Sequence, residues 1–167
     1  IRGKRLAAEQ KYDEAATEIR KAIDMNNTMA QYHVELARVQ MKKEGGEKSA
    51  EESLRKALQL VPGSPKLLSM LGQALYKQKK IDEARDTLEK AVSDQKVKNP
   101  ESRYLLGRIY RDEKKDYDKA AALLEKAATE YYSDPSMAAN AYDDLATTYD
   151  LKGDKERARV NFEKSLN

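Results

Sequence analysis

Small and bulky apolar residues recur along the chain at a fixed long period and, inside each period, at helical spacing. A small residue stands at Ala15, Ala50, Ala84, Ala120 and Ala158, and four positions on comes a bulky apolar one: Ile19, Leu54, Leu88, Leu124 and Phe162. Three further on stand Ala22, Ala57, Ala91, Ala127 and Ser165. A second set lies 12 or 13 residues upstream of each first Ala, at Gly3, Ala37, Gly72, Gly107 and Ala146, with Leu36, Leu71, Leu106 and Leu145 just before four of them. Successive units are 35, 34, 36 and 38 residues apart, so the repeat is the unit of organisation. Inside a unit the spacing predicts two antiparallel helices whose small residues face each other and let the backbones approach. One such pair leaves an apolar face in water, and stacking pair on pair buries it.

Punctuation agrees with this period. Carboxylates open the second helices at Asp13-Glu14, Asp82-Glu83, Asp116-Tyr117-Asp118 and Asp154-Lys155-Glu156, where the helix dipole favours negative charge. Pro65, Pro100 and Pro135 open first helices, each preceded by a residue suited to an N-cap: Ser64, Asn99 and Asp134. Turns within pairs are predicted at Glu44-Gly45-Gly46 and near Gly153. The resulting helices are 12–25, 30–43, 47–60, 65–78, 81–95, 100–113, 117–131, 135–152 and 154–166.

Composition narrows the chemistry. The 167 residues include no Cys, no Trp, one His and one Phe, which excludes disulfide scaffolds, thiolate zinc sites and cysteine nucleophiles. Charged residues make up 37% of the chain, but 32 basic against 29 acidic leave a net charge of only +3, so interleaved charge reads as solvated helix faces. His33 alone builds no His-based metal site, and no glycine-rich phosphate cradle or calcium loop is present. Pairs such as Asp143-Asp144 and Glu51-Glu52 read as solvated carboxylates rather than as an acid and a base. The expectation is a chain without catalytic, metal or cofactor residues. No apolar run is long enough for a membrane span, and no signal peptide is visible. The chain starts at Ile1 and is expected to be a processed or excised piece, with a cytoplasmic setting as the base expectation.

The run Leu71-Gly72-x-x-Leu75, followed by Ala84-x-x-x-Leu88-x-x-Ala91, resembles the tetratricopeptide repeat, whose period is 34 residues. Leu106-Gly107-x-x-Tyr110 and Tyr142-x-x-Leu145-Ala146-x-x-Tyr149 are similar to it, and Pro62 sits where the family closes a repeat. The resemblance covers nearly the whole chain as a single array: a partial repeat at 1–28, then repeats at 29–64, 65–98, 99–134 and 135–167. It implies an all-α fold, a right-handed superhelical solenoid of antiparallel helix pairs. The sequence departs from the family where its aromatic opens the first helix, with His33, Leu68, Arg103 and Tyr142 there, and Asn27, Lys96 and Tyr132 replace the closing Pro. Four extra residues around Ser133 to Ala139 are predicted to lengthen the last first helix by about one turn.

Membership of such a family implies that the first helices line a groove and that the chain is a protein-interaction scaffold or adaptor. The stripe beside the packing face reads Gln31, Val34, Arg38, Met41 and Lys42, then Lys66, Ser69, Gln73, Tyr76 and Lys77, then Glu101, Tyr104, Arg108 and Arg111, and finally Asn140, Asp143, Thr147 and Asp150. The middle is mainly basic and the last repeat acidic. The expected partner is an acidic or C-terminal peptide segment, with Arg38, Lys66, Arg108 and Arg111 as charge donors and Tyr76 and Tyr104 as apolar anchors. The Lys and Asn pattern with which chaperone-binding members of the family clamp a carboxylate is absent in both registers tried. Alternatives are a helical-repeat RNA binder and the targeting arm of a larger enzyme. Against RNA, basic residues alternate with acidic ones and no base-reading pair recurs at the period, so no nucleic-acid partner is expected. The last helix, ending at Phe162 and Leu166, has no polar capping helix after it, which allows end-to-end self-association.

Overall fold

A computed structural model describes residues 11–166. The expected small residue at Gly3 lies outside these residues. The described residues form nine α-helices and no strand. They are α1 (Tyr12–Met25), α2 (Ala30–Lys42), α3 (Glu47–Leu60), α4 (Pro65–Lys77), α5 (Ile81–Ala91), α6 (Pro100–Ile109), α7 (Tyr117–Glu130), α8 (Pro135–Lys152) and α9 (Lys155–Ser165). A five-residue π turn, Tyr110–Lys114, continues α6. Contacts divide the chain into two compact units, residues 1–90 and 91–167.

In the first unit the period-setting small residues are the most deeply buried atoms. Ala15, Ala37, Ala50, Ala57 and Ala84 are fully buried. Ala15, Ala16 and Ile19 of α1 pack on Leu36 and Val39 of α2, with Tyr12 and Ile23 closing the edge. On α4, Gly72 lies against α5 so closely that a Cβ there would stand 2.5 Å from Cγ and Cδ2 of Leu88. Leu88 is itself fully buried. The turn between α2 and α3 uses Gly45 at φ +71° and then Gly46, where a Cβ would fall 1.9 Å from the Gln40 carbonyl oxygen. Gln40 also accepts, through its buried Oε1, from the Ser53 hydroxyl at 2.8 Å.

A second bond joins one pair to the next inside this unit. Glu51 of α3 accepts from Lys80 Nζ at 2.8 Å and Gln78 Nε2 at 2.9 Å, both in the turn after α4, and from Arg55 Nε at 2.9 Å. Arg55 reaches on to Glu83 of α5 at 3.3 Å. Glu51 is only 8% exposed, and burial works against its charge, yet the Lys80, Gln78 and Arg55 donors overcome this and hold its carboxyl down at about 2, from 4.5.

The second unit repeats the scheme. A Cβ on Gly107 of α6 would stand 2.8 Å from Cγ of Leu124 on α7. Leu124 and Ala121 join Leu145, Tyr149 and Ala158 from α8 and α9 in one cluster. The side chains of Ser64, Asn99 and Asp134 accept from the amides of Leu67, Ser102 and Met137, so the caps expected before each Pro are formed. Asp116 and Asp154 cap α7 and α9 in the same way. The insertion around 133–139 does lengthen a helix: α8 has 18 residues against 13 in α2 and α4.

Two boundaries differ from the sequence expectation by more than one residue. Helix α5 ends at Ala91 rather than at 95, because Asn99 Nδ2 donates to the Ala91 carbonyl at 3.2 Å while Asp94 Oδ1 accepts from the Lys96 amide at 2.9 Å and closes a local turn. Asn99 thus caps the end of one helix and the start of the next. The linker is held further by Arg103, 1% exposed, which donates to Glu130 Oε2 at 2.5 Å and to the Val97 carbonyl at 3.0 Å. That is what Arg does in the position where the family places an aromatic. Helix α6 ends at Ile109, not 113, and its π turn closes on Lys115 at φ +56°. Left-handed residues also end α4 and α8, at Lys79 (φ +63°) and Gly153 (φ +86°), so this turn is made with or without glycine.

Two outcomes are expected. Gly72→Ala should destabilise the protein by about 1–3 kcal/mol in urea unfolding, although Ala is the better helix former, because Leu88 has to move from a packed site; an unchanged midpoint would contradict the close-contact account. The Glu51 carboxyl has a lower pKa folded than unfolded, so its contribution is complete above about pH 4.5 and is lost as pH falls towards 2. Glu51→Gln should therefore cost on the order of 1–3 kcal/mol at neutral pH and flatten the acid limb of the stability curve.

Candidate functional site

The first helices of neighbouring repeats carry the stripe that the sequence singles out, and the two units arm it differently. In the first unit α2, α3 and α4 meet through Val34, Ala57 and Leu67, with Leu58 and Met70 against them. Val34, expected on the partner face, is therefore a core residue, 7% exposed. Around this seam Arg38 and Lys42 of α2 and Lys66 and Lys77 of α4 are exposed, while Gln73 and Tyr76 are half-buried. None of these four cations has an ion pair or hydrogen bond among the described residues. The one carboxylate of α2, Glu35, accepts from Gln31 on its own helix at 2.6 Å, and α4 contains no acidic residue. Helical spacing puts Arg38 and Lys42 one turn apart, and likewise Gln73 and Lys77. The outcome is an open strip of uncompensated positive charge with Tyr76 beside it.

In the second unit the cations are spent inside the protein. The π turn presents Arg111 to α8. Its Nε and Nη2 donate to Oδ1 and Oδ2 of Asp112 at 2.6 and 3.0 Å. Its Nη1 donates to Asp144 Oδ1 and, at 3.3 Å, to the Asp144 carbonyl. Burial opposes the charge of Arg111, but the two carboxylates prevail and hold its pKa above the ordinary guanidinium value. Expected as a donor to a partner, Arg111 is 7% exposed and bridges α6 to α8. Arg108 lies over the Tyr104 ring at 5.8 Å, with its Nε 3.9 Å from Asp144 Oδ2. That Nε is buried and makes no hydrogen bond. The Tyr104 phenol is pushed up to about 12 by burial and by the neighbouring Asp144 carboxylate. Asn140 and Asp143 are exposed and Thr147 is half-buried.

Asp144 is thus the residue that the sequence reading missed, since a carboxylate beside Asp143 on a charged helix looks solvated. A signal existed: Arg111 and Asp144 are 33 positions apart, close to one period, and residues one period apart sit side by side on neighbouring first helices. Lys152 and Asp118, 34 apart, pair between the first helix α8 and the preceding second helix α7. Among the described residues no group of three or more His, Asp or Glu is placed to hold a metal, and His33 is half-buried in α2. No helix of the described residues is long and apolar enough to cross a membrane.

An all-α array of helix pairs closed by glycine–leucine contacts defines a helical-repeat protein. The chain belongs to the tetratricopeptide repeat family, whose models match residues 2–65, 69–138 and 139–167. It is similar to the crystal structure of MamA, with a TM-score of 0.84 and 26% identity over 98% of this chain and 92% of that one. A MamA fragment from Desulfovibrio magneticus RS-1 matches at TM-score 0.82 and 21% identity, over 98% of this chain and 89% of that one. YrrB, described as a TPR protein with an unusual peptide-binding site, shares the fold at TM-score 0.75 and 24% identity, over 98% and 81%. No curated protein sequence matches the chain significantly.

Arg111→Ala should lower stability by about 2–4 kcal/mol in urea unfolding, because it leaves Asp144 largely buried without its main partner, whereas exposed Lys66→Ala should stay within about 0.5 kcal/mol. Equal effects would contradict the division between spent and open cations.

Proposed function

We propose that the protein is an interaction scaffold that holds an acidic segment of a partner protein on the α2–α4 face. The observation that carries this reading is the set Arg38, Lys42, Lys66 and Lys77, exposed on two neighbouring first helices and without an ion pair among the described residues. A guanidinium and three ammonium groups along one strip suit carboxylates spaced along an extended chain, and half-buried Tyr76 gives a rigid apolar contact at its side. Gln73 adds a side-chain amide able to bond to peptide backbone. Membership of the family supports the scaffold role, and YrrB supports the idea that this fold can carry a peptide site. The same reading makes the chain non-catalytic, with its chemistry limited to recognition.

Charge capture has a measurable signature. A labelled hexaglutamate peptide should bind the full chain with affinity that falls at least about tenfold between roughly 0.05 and 0.5 M salt, and Lys66→Glu with Lys77→Glu should abolish binding while helicity stays unchanged. Affinity indifferent to salt, or equal retention of single-stranded RNA, would overturn the reading.

A further inference from the structure

Neighbouring first helices place residues one period apart in contact, so the group one period beyond a cation decides whether that cation is available. In the first unit the partners offered to Arg38 and Lys42 are Gln73 and Lys77, which cannot neutralise them. In the second unit the partner is Asp144. Its Oδ1 takes Arg111, and its Oδ2 stands 3.9 Å from Arg108 Nε, whose guanidinium lies over the Tyr104 ring. Arg111 is also held bidentately by Asp112. Two guanidinium groups therefore face two carboxylates, and this face presents no net positive charge from its arginines.

We propose that Asp144 is the specificity-determining residue of the second unit: its carboxylate occupies the place between Arg108, Arg111 and Tyr104 that an incoming carboxylate would need, so the α6–α8 face turns acidic segments away. The claim rests on the reading that first-helix faces receive partner segments, and it assigns the acidic ones to α2–α4 alone. Arg108 keeps 38% of its side chain exposed, so the face is reachable. What excludes the acidic segment is repulsion from Asp144 and the loss of its existing bonds, not a lack of access. The Arg108 Nε, buried without a hydrogen bond, shows that Asp144 holds that guanidinium through charge more than through a formed bond. Removing the Asp144 charge therefore frees Arg108 first.

The test uses the full chain and labelled hexaglutamate, read by anisotropy and by amide chemical-shift mapping. In the wild type the peptide should shift amides of α2 and α4 and leave those of α6 and α8 in place; equal shifts on α6 and α8 overturn the proposal, and this readout needs no variant to fold. In a Lys66→Glu, Lys77→Glu background, where binding is lost, Asp144→Asn should restore measurable binding, while Glu125→Gln, the same charge change at an exposed position of α7, should not. Adding Arg108→Gln to Asp144→Asn should remove the gain. Equal gains from Asp144→Asn and Glu125→Gln overturn the proposal. If the wild type binds no hexaglutamate, the acidic-segment reading of α2–α4 has failed, and a gain on Asp144→Asn would still establish the role of Asp144.

Discussion

The structure depends on one contact repeated along the chain, in which a residue without a side chain, or with only a methyl group, lets the second helix of a pair lie almost on the backbone of the first. At Gly72 and Gly107 the opposing leucines, Leu88 and Leu124, fill the space where a Cβ would be. At Ala37, Ala50 and Ala84 a methyl group is tolerated and fully buried. Helices brought this close need few large aliphatic residues to complete a core, which is why alanine and tyrosine can do most of the packing in a chain of 40% apolar content. The outer surfaces then remain long, exposed and charged.

A fixed period has an electrostatic consequence as well. Once pairs stack, each side chain on a first helix meets the side chain one repeat later, so the sign of charge at matching positions decides which cations are consumed. Arg111 and Asp144 match and are buried together; Lys42 and Lys77 do not and both remain in water. The small net charge of +3 thus conceals two unlike surfaces, one with open cations and one whose arginines are satisfied within the protein. The same matching works structurally where Glu51 draws Lys80 and Gln78, 29 and 27 positions on, into a link between successive pairs.

Much of this is legible in the residues. The small positions at Ala15, Ala50, Ala84, Ala120 and Ala158 are buried in the first turns of their helices, and Ser64, Asn99 and Asp134 cap where Pro signals a helix start. Local rules suffice there because helical spacing and capping act within a few residues. They fail where the deciding partner is remote or the backbone leaves α geometry. Helix α5 stops at Ala91 because Asn99, eight residues away, takes its carbonyl. Arg111 leaves the stripe because a π turn carries it towards α8, and Val34 leaves it because α4 brings Leu67 over it. Lys79 and Lys115 adopt the left-handed turn that glycine marks at Gly153, so composition conceals two of the turns.

The cations of the first-helix stripe differ in kind: Arg111 is locked, and Arg38 has no ion pair among the described residues. Hydrogen exchange at the arginine Nε position, followed by NMR on the full chain, reads this directly. The account expects Arg111 Nε–H, bonded to Asp112, to exchange more than an order of magnitude more slowly than Arg38 Nε–H. Similar exchange rates at the two arginines would contradict it.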